Sequence, residues 1–451
     1  MEQRQGFFSK FFDFAENKTN LKTEIIAGLT TFVTMAYIII VNPMVLAGPE
    51  AGTGMDFGAV LTATCFAAGG ATLVMGLLAN YPFALAPGMG LNAFFTYTLC
   101  GSMGLTWQTA LGVVFISGCL ALIVTLTRIK EIAIRAIPSF LKAAVAAGVG
   151  LFIAFIGLKN SGIVAANPAT ILSIGDLGDP NALLAIAGLL ISAVLVIRKV
   201  PGGLLIGIVA ITVISFFVID PETGNPIAGF QPGAYGIFDK MPSLAPVAFQ
   251  LDLVGALKLS LLLPIFSVFF VDFFDTVGGF VGIASKAGMI DERGDLKNGS
   301  RALVADSCGT IIGALLGTSN TTTYAESAAG VNAGGRTGLT ALVVAICFFA
   351  APFLSPLFLS VPSAATAPAL IIVGILMCTS LNDIDWSDMS KAIPCILTII
   401  MMPLSFSIAS GLAFGFISYV LITALTGKHK EIHWFMYILS ALFVVYFIVT
   451  K

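Results

Sequence analysis

Charge is what this sequence has least of. Only 10% of its 451 residues are Asp, Glu, Lys or Arg, 24 acidic against 22 basic, and two are histidine. So little charge cannot clothe the surface of two or three soluble domains, the ordinary expectation for this length. No basic cluster of useful length occurs and the formal charge is −2, so nothing points to nucleic acid as a partner. The seven cysteines, Cys65, Cys100, Cys119, Cys308, Cys347, Cys378 and Cys395, form no CxxC pair. They indicate neither a disulfide framework nor a metal site and read as packing residues. An enzyme would need a nucleophile with its base, or a metal cluster. Neither can be assembled from dispersed cysteines and the two tail histidines, His429 and His433, so no catalytic residue, metal or cofactor is expected. Residues 1–24 hold no apolar core fit for a cleavable signal peptide and are expected to stay cytoplasmic. Phe7, Phe8, Phe11, Phe12 and Phe14 with Lys10 suit a short amphipathic helix on the membrane surface, with fraying as the alternative.

What is present is apolar: 57% hydrophobic residues and a mean hydropathy of +1.00. Runs long enough to approach the roughly 20 residues of a membrane span recur along the chain, separated by short polar breaks. They lie near 25–46, 58–79, 86–99, 105–127, 137–158, 181–198 and 201–219, then, after a long loop, near 258–283, 300–317, 322–333, 336–357, 365–380, 391–404 and 407–425. The expected class is an all-α integral membrane protein of about 14 segments. With the amino terminus inside, the cytoplasmic connections hold Arg128, Lys130, Arg135, Arg198, Lys199, Lys286, Arg293, Lys297, Arg301, Arg336, Lys391 and the cluster at 428–430. The opposite side holds chiefly Lys159, Lys240 and Lys258, an asymmetry that obeys the positive-inside rule in the plasma membrane. Residues 432–449 are apolar enough to cross as a fifteenth helix or to lie at the surface.

Sliding the second half on the first by 238 positions aligns Thr72–Leu78 with Thr310–Leu316 and brings the third, shortest segments into register. Seven segments per half is odd, so two such halves have opposite orientations, an inverted repeat of seven plus seven. The short segments are broken ones. Pro82, Pro87, Gly88 and Gly90 in 81–92, and the threonine-rich 317–327, favour extended backbone followed by a half-helix. On this offset Glu326 aligns with Gly88. Irregular backbone at membrane depth must be buried in protein or line a wet cavity, and half-helix amino ends suit a polar or anionic ligand. Two kinked packing helices are the bland alternative.

Four acids sit inside apolar segments: Asp272 and Asp275 in Leu261–Thr276, Asp306 in Ala302–Thr310, and Glu326 at the second break. An ionised Asp at a helix centre costs about 2.5–3.5 kcal/mol on insertion scales, so such residues face a cavity or a partner. Asp272 and Asp275 share a helix face, and neighbouring carboxylates disfavour joint ionisation. Asp272 and Glu326 are the stronger functional candidates; hydroxyls and helix ends are an equal account of Asp306 and Asp275.

At these residues the sequence resembles the nucleobase cation symporters, and within them the AzgA-like permeases for adenine, guanine and hypoxanthine. The resemblance runs through 23–43, 80–95 (NYPFALAPGMGLNAFF), 150–164, 271–284 (VDFFDTVGGFVGIA) and 317–341. It implies a core domain from 25–127 and 258–357 and a gate domain from 137–219 and 365–425, with a tail at 426–451. It implies purine binding by Asp272 and Glu326, completed by Asn92, with Asp275 supporting or sharing proton coupling. Thr34, which the repeat places opposite Asp272, and Tyr324 and Ser327 beside Glu326 are implied lining residues. Uracil permeases place a histidine one turn after the Asp272 position; here Thr276 stands there, so coupling through histidine is absent and must run through carboxylates or be something other than protons. Proton-coupled purine uptake by alternating access is the implied function, with an anion transporter or channel of the same fold as the rival. A homodimer through the gate domain stays open.

Overall fold

A computed structural model describes residues 7–127, 136–221, 223–230, 238, 240–287, 289 and 298–449. Arg128, Lys130, Arg135, Arg293 and Lys297 lie outside the described residues, as do the side chains of Phe7, Phe8, Asp275 and Lys286.

The first half comprises α1 (Phe7–Phe11), α2 (Leu21–Met35), α3 (Ile38–Ala47), α4 (Phe57–Val74), β1 (Leu85–Pro87), α5 (Met89–Ala93), α6 (Trp107–Leu126), α7 (Ser139–Asn160), β2 (Val164–Asn167), β3 (Ile171–Ile174), α8 (Pro180–Ile197) and α9 (Gly203–Ser215). The second comprises α10 (Leu253–Ala256), α11 (Leu262–Ala287), α12 (Gly299–Leu316), β4 (Thr321–Thr323), α13 (Ser327–Asn332), α14 (Gly338–Ala350), α15 (Ser355–Leu359), α16 (Ser363–Met377), α17 (Met389–Leu404), α18 (Ile408–Leu425) and α19 (Trp434–Val449). Helical structure stands at each of the fourteen expected segments. Among the described residues, eight helices are long and apolar enough to cross a membrane, and Gly203–Ser215, Leu259–Phe273, Met389–Leu404 and Trp434–Val445 are shorter apolar ones. The chain is a mostly helical integral membrane protein.

Polar residues at the breaks start these helices. Asn20, Asp56, Thr106, Asp179, Thr337, Asp388 and Ser407 each accept a hydrogen bond from a backbone N–H in the first turn that follows. One start is capped from a distance. Glu24, fully buried in the first turn of α2, accepts from the Arg336 and Thr337 nitrogens at 2.9 and 3.3 Å and from the Thr340 hydroxyl at 2.6 Å. Asn80 accepts from the Gly338 nitrogen at 2.7 Å, which completes the amino end of α14.

The helices pack in two groups: α2, α3, α4, α6, α12 and α14 around the two broken segments, and α7, α8, α9, α16, α17 and α18 beside them. In the second group α7 and α16 cross at glycines. A Cβ at Gly150 would stand 2.6 Å from the Gly374 carbonyl oxygen, and one at Gly374 would stand 2.7 Å from the Ala154 nitrogen.

Two segments depart from expectation. Residues 164–174 form an antiparallel hairpin, β2 with β3, whose Ile171 and Ile174 are exposed; its short apolar stretches carry no distinguishing period. At the amino end Phe12 and Phe14 are buried against Leu339, so that stretch docks on α14 instead of fraying. The apolar tail packs antiparallel to α18 through Phe416 with Phe443 and Phe414 with Phe447, and Ser440 donates to the Phe416 carbonyl at 3.1 Å. Its 16 residues give a helix of about 24 Å, shorter than the roughly 30 Å hydrocarbon layer.

Replacing Gly374 with Leu forces α7 and α16 apart. The expected cost is about 1–3 kcal/mol of overpacking, read as a lower melting temperature of the detergent-purified protein. An unchanged melting temperature would contradict the close crossing.

Candidate functional site

The two broken segments meet as strands. β1 pairs antiparallel with β4, with Leu85 opposite Thr323, Ala86 opposite Thr322 and Pro87 opposite Thr321. The ladder continues at both ends, Tyr324 N donating to the Ala84 carbonyl at 3.0 Å and Gly88 N to the Asn320 carbonyl at 3.3 Å. In such a pair alternate residues turn their N–H and C=O outward, and in a dry interior these need partners. Side chains supply them. Thr72 on α4 bonds both backbone groups of Leu85, at 2.9 and 3.0 Å. The Tyr324 hydroxyl donates to the Pro87 carbonyl at 2.6 Å; the Thr310 hydroxyl on α12 stands 3.0 Å from the Thr321 carbonyl oxygen and 2.9 Å from Asp272, with one hydrogen to give. Thr72 and Thr310 are the residues that the 238-position shift aligns, and each stands against the first strand residue of its own half. Each strand then leads into a short helix: Gly88 immediately precedes α5 and Glu326 immediately precedes α13.

The acids flank β4. Asp272 on α11 is 2% exposed; its Oδ1 accepts from Asn320 Nδ2 at 2.6 Å and its Oδ2 from the Thr310 hydroxyl at 2.9 Å. Gly88 leaves room for that amide, since a Cβ there would sit 3.1 Å from Asn320 Nδ2. Asn320 Oδ1 is buried with no hydrogen-bond partner among the described residues. At the other end of β4, half-buried Glu326 accepts through Oε1 from the Tyr37 hydroxyl at 2.7 Å. Tyr37 is buried where α2 passes into α3, at a turn tightened by Ile39 and Ile40 donating to carbonyls three residues back.

The remaining expected residues fall into place unequally. Asn92 on α5 is fully buried and accepts from Ser319, the neighbour of Asn320, which joins it to the Asp272 cluster. Ser327 accepts from the Ala84 nitrogen at 3.0 Å, and with the Tyr324 hydroxyl already given to Pro87, both side chains brace the strand pair. Thr34 turns its hydroxyl back to its own helix, 2.7 Å from the Thr31 carbonyl oxygen; one turn later Tyr37 is the α2–α3 side chain that meets an acid. The Asp275 side chain lies outside the described residues. Tyr37 and Asn320 were not singled out from the sequence. Their partners are 289 and 48 residues away, and nothing local marks either.

A cavity of about 510 Å³ lies elsewhere, between α2–α3, α9 and α14–α15, lined by Phe32, Ile40, Val213, Phe216 and Leu354 among others. The hydroxyls on its wall, Thr212 and Ser360, bond to carbonyls of their own segments, so it offers a polar ligand nothing.

Replacing Thr72 with Val leaves the buried N–H and C=O of Leu85 without partners. A loss of about 2–3 kcal/mol is expected, read as a lower melting temperature in detergent; no change would contradict the bracing role.

A model of the permease family, Xan_ur_permease, matches residues 22–414. The chain is 50% identical to the putative permease MJ0326 of Methanocaldococcus jannaschii over 442 residues, 98% of each chain. It is 46% identical to the guanine/hypoxanthine permease PbuG of Bacillus subtilis over 98% of this chain and 99% of that one. It is 41% identical to the adenine permease AdeP of Escherichia coli over 98% and 96%. Among solved structures, the transmembrane domain of the cyanobacterial bicarbonate transporter BicA superposes with a TM-score of 0.63 at 19% identity, covering 87% of this chain and 97% of that one, a likeness of fold.

Proposed function

The chain belongs to the permease family, and from that premise we propose that it is a secondary active transporter that imports purine nucleobases, guanine, hypoxanthine or adenine, together with protons. The carrying observation is the pair of membrane-embedded acids at the two ends of β4, each steadied by a neutral donor: Asp272 by Asn320 and Thr310, Glu326 by Tyr37. Neutral donors fix the orientation of each carboxyl group. A purine is flat and presents ring N–H groups that carboxylates accept. Asn320 Oδ1 is a further buried acceptor beside Asp272. Anions find no such welcome, which sets this reading against the anion transport named for BicA, whose fold the chain resembles.

In this reading the chain has fourteen spans as two inverted repeats of seven, in the plasma membrane with its amino terminus cytoplasmic. Residues 25–127 and 258–357 form a core that carries the site, and 137–219 and 365–425 form a gate. The core moves against the gate as an elevator, with the β1–β4 pair intact, so the purine meets one side of the membrane at a time. The two packing groups of helices support that division. Taking up a proton on an embedded carboxyl offsets the cost of an ionised acid in a dry site, which gives proton coupling a physical basis.

The test is uptake of radiolabelled hypoxanthine, guanine, adenine, uracil and sulfate in cells lacking their own nucleobase permeases. Saturable purine uptake that a protonophore collapses is expected; saturable sulfate uptake without purine uptake would sink the proposal. Asp272→Ala and Glu326→Ala are each expected to abolish uptake while the protein still reaches the membrane, and wild-type affinity in either variant would overturn its place in the site. Tyr37→Phe removes only the donor to Glu326. It is expected to raise KM by about tenfold, corresponding to about 1.4 kcal/mol, at similar expression; an unchanged KM would show that the bond does not position Glu326 for substrate.

A further inference from the structure

The cavity between α2–α3, α9 and α14–α15 lies on the seam between the two packing groups of helices, with α9 on one side and α2–α3 and α14–α15 on the other. A close approach shuts one end of it. Gly202, at φ +71°, brings the start of α9 so near α2 that a Cβ would stand 2.7 Å from Val33 Cγ1. Beyond that contact the space of about 510 Å³ runs along one face of α9, past Leu205, Val209, Val213 and Phe216, which recur three or four residues apart. At 1.5 Å per residue the run is about 16 Å long, close to one leaflet of the roughly 30 Å hydrocarbon layer. Val209, Val213 and Leu357 line the space and are also exposed, so it is a groove that opens sideways to the medium around the helices.

We propose that this groove holds one acyl chain of a membrane phospholipid. Two of its walls belong to Leu21–Ala47 and Gly338–Leu359, helices long and apolar enough to cross a membrane, so the medium beside it is hydrocarbon. Water is a poor occupant, since a buried water needs about two to four polar partners. Among the described residues the wall offers only the Thr212 and Ser360 hydroxyls, each donating to its own segment at 2.8 Å, and the Cys347 thiol, a weak donor. A purine fares no better, because the hydrogen-bonding groups on its ring edges would go unanswered. Unfilled, such a space would forfeit the dispersion contacts of every side chain around it. A run of methylenes restores those contacts and follows an irregular wall. The length of the groove suits one chain, with the headgroup at the end marked by Phe216 and Val361, the outer surface in the proposed orientation.

The lipid site stands without the transport reading; its consequence for transport rests on that reading. In the proposed cycle the core moves along this seam, and the groove changes shape as α2–α3 and α14–α15 shift past α9. A deformable chain keeps the space filled at each stage, where a fixed side chain would act as a wedge.

The test is photolabelling in vesicles that carry the whole protein. A phosphatidylcholine with a diazirine midway along one acyl chain is mixed into vesicles of phosphatidylethanolamine and phosphatidylglycerol, and labelled peptides are mapped by mass spectrometry. Label is expected to concentrate on the segments holding Val213 and Leu354, above the level at Leu190 and Val194, exposed residues of α8 away from the groove. Val213→Trp pushes an indole into the groove from an exposed wall position. It is expected to cut labelling at Leu354 about tenfold and to leave Leu190 and Val194 unchanged. Even labelling of all these segments, or labelling at Leu354 indifferent to the indole, marks ordinary surrounding lipid and would overturn the site. A free fatty acid bearing the same diazirine is run in parallel, and label from the fatty acid alone would overturn the assignment to a phospholipid. Should Val213→Trp not reach the membrane, Ala350→Trp fills the groove from the opposite wall and decides by the same readout. The variant that loses label is expected to exchange hypoxanthine several-fold more slowly than wild type; an equal rate would overturn the consequence for transport. If the wild-type protein exchanges no purine, the transport reading falls while the labelling result still decides the lipid site.

Discussion

Lipid hydrocarbon supplies no hydrogen bonds, and two stretches of this chain are extended within a body built of apolar helices. Leu85–Pro87 and Thr321–Thr323 satisfy one another's inward backbone groups as β1 and β4, and hydroxyls of Thr72 and Tyr324 answer groups that face outward. Each strand alone would leave several polar groups stranded, at several kcal/mol apiece. Their pairing therefore fixes how the halves of the chain meet. It also sets Asn320 and Glu326 at the two ends of one short strand, and through them the position of both proposed substrate acids.

The same polar side chains both complete the scaffold and shape the site. Thr310 faces a strand carbonyl on one side and Asp272 on the other, and Ser319 reaches Asn92 while its neighbour Asn320 holds Asp272. Glycine makes that density possible: at Gly88 a side chain would press on both Asn320 and Thr322. A site so interwoven with the backbone is expected to travel as a unit. The proposed cycle, in which the core moves relative to the gate, relies on that.

Much of this was legible in the sequence because the governing patterns are local. Apolar runs mark the helices to within a few residues, and Pro87, Gly88 and the run Thr321–Thr323 mark the extended breaks. Asp272 and Glu326 stand out because apolar segments seldom hold acids. What escaped depends on long-range partners. Glu24 reads as an ordinary charge at the edge of an apolar run, yet it is fully buried and caps α14 some three hundred residues on. Tyr37 reads as one aromatic among many, and only the fold brings its hydroxyl to Glu326. The repeat pointed to Thr34, one turn short of Tyr37, because an alignment matches backbone positions and does not report where a hydroxyl turns. Tyr324 and Ser327 were expected to line the site, and the structure engages their hydroxyls with backbone groups of Pro87 and Ala84.

The central claim is that a purine is held by Asp272 and Glu326 across the β1–β4 junction. A cryo-EM structure of the purified protein with hypoxanthine tests it most directly. The account predicts ligand density at β4 with both carboxyl groups within hydrogen-bonding distance of the ring. Density confined to the apolar cavity between α2–α3, α9 and α14–α15, with the two acids untouched, would contradict it.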